Sequence, residues 1–138
     1  MIGMDVNYFA EKFIKLFPEH EAEYQEHVND YDEIFGHVFF GYVINPVLSR
    51  LLIENKSIQL IQKYISFIED MYANGDDAVK SVVEVTILEY LGDNDIALTT
   101  AFAYFSEGLM LASKKIEAFW RRRSIRIYSK CGKMFADW

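Results

Sequence analysis

This chain is short of cysteine, of long apolar runs, of basic residues over most of its length, and of any recognisable catalytic motif. Cys131 is the only cysteine among 138 residues, which excludes an internal disulfide and points to a reducing compartment. The N-terminus Met1-Ile2-Gly3-Met4-Asp5 has no basic region ahead of an apolar run, and the uninterrupted apolar stretches fall far short of a bilayer span. A soluble cytoplasmic protein without membrane contact is therefore expected.

The missing motifs exclude reaction classes. No Gly-x-Ser-x-Gly elbow is present, so an α/β-hydrolase nucleophile is not signalled. Gly36 and Gly41 have the spacing of a phosphate loop, but Tyr42 and Val43 stand where Lys and Ser/Thr would hold phosphate and magnesium. The residues three before His20, His27 and His37 are Phe17, Tyr24 and Ile34, which removes the Glu-x-x-His motif of carboxylate di-iron bundles. His20, Glu23 and His27 share a helical face and could touch a metal, yet structural sites usually need a fourth ligand. The plainer reading is a solvated acidic helix that carries two histidines. Cys131 lies between Lys130 and Lys133, which favour a thiolate, and the plainer reading is again a lone surface or half-buried cysteine. No catalytic residue, metal or cofactor is expected.

What the chain does have is apolar material and acid. Hydrophobic residues make up 51% and aromatics number 22, enough for the core of one domain and unlike a disordered protein. The net charge of −7 conceals a division. Residues 1–110 carry 19 acidic and 6 basic side chains, whereas residues 111–138 carry 2 acidic and 8 basic ones. An acidic body repels nucleic acid and anionic membranes and attracts basic protein surfaces. Arg121, Arg122, Arg123 and Arg126 beside Trp120 and Tyr128 could grip nucleic acid. The acidic body and the competing roles of helix-end cations disfavour that use.

Periodicity reads as helix throughout. Asp5 caps a first helix with the stripe Val6, Phe9, Phe13, Leu16 and Phe17, ended by Pro18. Glu19 to Glu33 holds seven carboxylates and no Lys or Arg, and Tyr24, Val28 and Tyr31 are placed to hold one side of a short helix against the body while the carboxylates face water. From Ile34 the chain is strongly apolar through Phe35, Val38, Phe39, Phe40, Tyr42, Val43 and Ile44, read as a buried helix with an irregular join near Gly41. Asn45-Pro46 reads as an N-cap and first helical position, with Val47, Leu48, Leu51 and Leu52 following. Ser57 to Leu91 reads as a helical hairpin: Ser57 caps the first helix, Gly75 closes it in a left-handed conformation, and Asp76 or Asp77 caps the second. The Val and Ile content of the second arm would suit a strand, but its spacing is helical. Asp93 and Asn94 offer a cap for the next helix, and Gly108 leads into the last.

The whole is an all-α fold of about seven or eight antiparallel helices, stacked in the HEAT or armadillo manner or closed as a bundle. Residues 1–120 form one helical domain and 121–138 a basic C-terminal extension.

Phe17-Pro18-Glu19, the stretch Tyr31 to Phe40, Met71 to Asp76, Val85 to Glu89 and Ile116 to Trp120 resemble a family of small bacterial helical proteins of uncharacterised function, over most of residues 8–120. By type, as small acidic helical proteins, such chains also resemble the immunity proteins of contact-dependent growth inhibition and related toxin systems. That second resemblance implies binding to one cognate toxin domain, often a basic nuclease, whose active site is covered by an acidic surface. The expected contact residues are Glu19, Glu23, Glu26, Asp30, Asp32 and Glu33, with the helix-turn carboxylates Asp76, Asp77, Asp93 and Asp95 on a common rim. The competing reading is a non-enzymatic helical scaffold or regulatory adaptor.

Overall fold

The computed structural model describes residues 3–120; Cys131 and the basic extension 121–138 lie outside the described residues, and so do the expectations attached to them. The chain runs α1 (Val6–Leu16), a 3-10 turn (Pro18–His20), α2 (Glu21–Tyr31), α3 (Gly36–Val43), α4 (Asn45–Glu54) and α5 (Ile58–Asn74). It continues as α6 (Asp77–Ser81), a π-helical segment (Val82–Leu88), α7 (Glu89–Leu91), α8 (Asp95–Phe102) and α9 (Glu107–Trp120). The fold is all-α, as the periodicity requires.

Short polar side chains start four of these helices by accepting an orphan amide of the first turn. Asp5 accepts from Tyr8 N at 2.9 Å, Asp76 from Val79 N at 3.0 Å, Asn94 from Ala97 N at 2.9 Å, and Ser106 Oγ from Leu109 N at 3.2 Å. Ser106 is itself held by Glu69 of α5, whose carboxylate accepts the Ser106 amide and hydroxyl at 2.7 Å each. Two expected caps work differently. Ser57 makes no side-chain cap bond. Asn45 is the first residue of α4, and its Nδ2 donates to the Thr86 carbonyl at 3.2 Å.

That bond explains the second arm of the hairpin. Val82, Val83, Val85, Thr86 and Ile87 crowd a helix at χ1, and here the helix widens into π geometry from Val82 to Leu88. The Thr86 carbonyl takes the Asn45 amide, and the Thr86 hydroxyl pairs with His37 Nδ1. A Cβ on Gly41 would stand 3.1 Å from Thr86 Cγ2, so this glycine sets how closely α3 approaches the π segment. The join between α3 and α4 falls at Ile44, which stays in right-handed helical geometry.

Gly75 is extended at φ −81, not left-handed. It is glycine for space: a Cβ would meet Val79 Cγ1 at 2.3 Å and the Met71 carbonyl oxygen at 2.5 Å. The N-terminal segment lies against this tight turn, with Met4 N donating to Asn74 O at 2.9 Å and Asp76 N to Met4 O at 2.8 Å. Among the described residues other than glycine, the left-handed positions are Asp32 (φ 64) and Asn55 (φ 49), which close α2 and α4. Both residue types tolerate that region.

The core is aromatic on one side. Phe9, Phe13 and Phe17 descend α1 at four-residue steps and meet Phe39 and Phe40 of α3 and Tyr64 and Phe67 of α5. Leu16 of the expected stripe is exposed instead. On the other side Leu48 and Leu52 of α4 join Ala97, Leu98 and Ala101 of α8 in the same core. Contacts between α4 and α8, and of the π segment with α3 and α9, link elements that are not consecutive in the chain.

By length and composition the stretch Gly36–Glu54 could cross a bilayer, with mean hydropathy 1.3. Its Phe39, Phe40, Val43, Ile44, Leu48, Leu51 and Leu52 are spent in this core.

Candidate functional site

The stretch expected to carry the site forms the 3-10 turn, α2 and the loop to α3. Glu19, Glu26, Asp30, Asp32 and Glu33 are exposed, and Glu23 is half-buried. Only part of this charge serves the helix. Glu21 and Glu23 occupy the first turn, where carboxylates complement the helix dipole. Asp30 stands in the last turn, where carboxylates oppose it, and no basic residue accompanies it there. Helix stability therefore does not account for the acid at the C-terminal end of α2.

Two histidines fasten this acidic helix to the body, and both are buried, not solvated as the sequence suggests. His20 Nε2 pairs with the Tyr64 hydroxyl at 3.0 Å, and its Nδ1 lies 3.3 Å from Glu23 Oε1. Burial, reinforced by Glu19 and Glu23, pushes the Tyr64 phenol up to about 12. His27 Nε2 accepts the Phe35 amide at 3.0 Å, which requires the neutral imidazole with its proton on Nδ1. Among the described residues no three His, Cys, Asp or Glu side chains converge on a metal position.

The His27 bond gives a pH prediction. Burial lowers the His27 pKa below its ordinary 6.5, and Asp30 only partly offsets this. The unfolded chain then takes the proton first as pH falls, so stability is full above about 6.5 and declines below it until the folded-state pKa is passed. The urea midpoint measured from pH 8 to pH 5 should drop across this window, and His27→Gln should flatten the drop. An identical slope in the variant would remove His27 from the account.

Beside the carboxylates lies an apolar strip the sequence places inside. Tyr31, Phe35, Val38 and Tyr42 are 45%, 43%, 49% and 63% exposed. Phe35, Val38 and Tyr42 fall on one face of α3 by three- and four-residue spacing, while Phe39, Phe40 and Val43 take the inner face. The Tyr31 and Phe35 rings meet edge to face at 5.2 Å, over His27 at 4.7 Å from Tyr31 and 6.3 Å from Phe35. A helix apolar all round reads as buried. The signal in the sequence was that two full faces of one short helix cannot both meet the same core.

The remaining expected carboxylates are not on a common rim. Asp76 and Asp77 begin the helical rod, and Asp93 and Asp95 follow its end; the fifteen residues of 77–91 separate the pairs by about 20 Å at 1.5 Å per residue. Asp77 is exposed, Asp76 is a cap, and Asp95 sits in the first turn of α8. A separate groove of about 620 Å³ opens between the π segment and α9, lined by Tyr72, Glu84, Leu111, Lys115, Phe119 and Trp120. Its carboxylates are engaged: Tyr72 donates to Glu84 at 2.6 Å and Trp120 Nε1 to Glu89 at 3.0 Å. Burial and the Glu84 bond push Tyr72 up to about 12.

Fold and surface together define a small all-α domain with an acidic, partly apolar face. The chain belongs to a domain family of unknown function, DUF7674, which it matches over residues 10–121. No curated protein and no solved structure matches it.

Proposed function

We propose that this chain is a cytoplasmic, non-catalytic binding protein of the immunity type, which neutralises a basic, nuclease-like toxin domain by laying an acidic surface over its active site. The observation that supports this reading is the 19–33 segment, with exposed carboxylates at Glu19, Glu26, Asp30, Asp32 and Glu33 and no Lys or Arg. Such a surface accelerates encounter with a cationic protein, and its carboxylates can occupy the positions of nucleic-acid phosphates. This reading expects a gene for a large secreted protein with a variable C-terminal domain directly upstream, and the test is co-expression of that C-terminal domain with this chain. Cells producing that domain should survive only in the presence of this chain; death in both cases rejects the reading.

A further inference from the structure

We infer that the strip Tyr31, Phe35, Val38 and Tyr42 is the apolar centre of the binding face, and that its occupant is a protein surface with an apolar knob ringed by Lys or Arg. This rests on the binding role proposed above and specifies the partner's chemistry.

Three observations lead to that occupant. The strip is exposed although the chain has a complete core beneath it: Phe39, Phe40 and Val43 on the other face of α3 are at most 1% exposed. Contiguous aromatic and branched residues left in water at a rim of charge are the arrangement of an interface centre, where desolvation supplies most of the affinity. The strip is also preorganised. Tyr31 and Phe35 are set edge to face, and the Phe35 amide is fixed by His27. Little side-chain freedom is then lost on binding.

The third observation is charge. Asp30, Asp32 and Glu33 adjoin the strip along the chain and are exposed. A second copy docking here would bring two such acidic rims together, and an anionic membrane or nucleic acid would meet the same repulsion. A cationic ring on the partner is complementary.

The test compares two probes of equal charge, an amphipathic lysine–leucine helical peptide and an oligolysine, by titration against the full chain at low salt. The lysine–leucine peptide should bind about tenfold tighter, the scale expected for burying exposed side chains at an interface. Val38→Ser with Tyr42→Ser, at exposed positions where the fold is not at stake, should abolish that advantage and leave oligolysine affinity unchanged. Equal binding of the two peptides by the unmodified chain overturns the apolar centre but leaves the acidic face standing. So does an advantage that survives the double substitution. Failure of oligolysine to bind at all rejects the acidic face itself. Sedimentation of the chain alone completes the test: a dimer that the double substitution dissolves would assign the strip to a second copy and overturn the inference.

Discussion

Phe13→Ala is expected to destabilise the domain by about 3–5 kcal/mol, the range for emptying a fully packed phenylalanine site. Phe13 is 0% exposed. Its ring stacks on Phe17 at 4.7 Å and meets Phe67 at 5.2 Å, His20 at 5.4 Å, Phe40 at 5.9 Å, Phe39 at 6.2 Å and Tyr64 at 6.4 Å. These neighbours come from the C-cap of α1, the 3-10 turn, α3 and α5. No single one can move into the void without leaving its own contacts, so the cavity term stays close to its full value. For a domain of this size the thermal midpoint should fall by roughly 10–20 °C. Leu16→Ala, three residues on but 40% exposed, should change stability by less than about 1 kcal/mol. Similar losses for the two variants in a calorimetric melt would show that the aromatic cluster is not the centre of the core.

The effect should extend to the candidate face. Phe13 packs against His20 and Phe39, and Phe39 packs against Tyr24 and His27 at 5.8 Å and 5.5 Å. The acidic helix is thus seated on the aromatic core through its histidines. Its orientation depends on that seat, although none of its exposed carboxylates touches it.

Which features could be read from the sequence follows from how far away their causes lie. Asp5 was legible as a cap, and Asp76 and Asn94 each as one of two adjacent candidates, because a cap bond reaches only to the amide three residues on. The α1 stripe was legible because Phe9, Phe13 and Phe17 repeat at four. The π segment was not, since the Thr86 carbonyl is claimed by Asn45, forty-one residues away. Gly75 looked like a left-handed cap, but what forbids a side chain there is Val79 and the Met71 carbonyl, set by the tight turn. His20 and His27 sat among carboxylates in the sequence and read as solvated. Tyr64, forty-four residues on, and the Phe35 amide, eight residues on, are what bury them. The acidic half of the candidate site could be listed from composition alone. Its apolar half could not, because only the packing of α3 decides which of its aromatic residues face outward.

Reversing Glu26, Asp30 and Glu33 to Lys should slow association with the proposed toxin domain by about 10- to 100-fold at low ionic strength, with little change in dissociation. All three are exposed and none makes a cap bond, so the fold should persist. Asp30→Lys even places a cation where the α2 dipole favours one. The sign follows from steering: the carboxylates draw a cationic partner from beyond contact range, and at about 10 mM salt the screening length of about 30 Å lets all three act together. Near 1 M salt that length shrinks to about 3 Å, and the two chains should associate at similar rates. Stopped-flow association measured across this range separates steering from damage. A rate deficit that persists undiminished at high salt would mean that the substitutions had altered the face itself. An unchanged rate at low salt would mean that the partner approaches from another side of the domain.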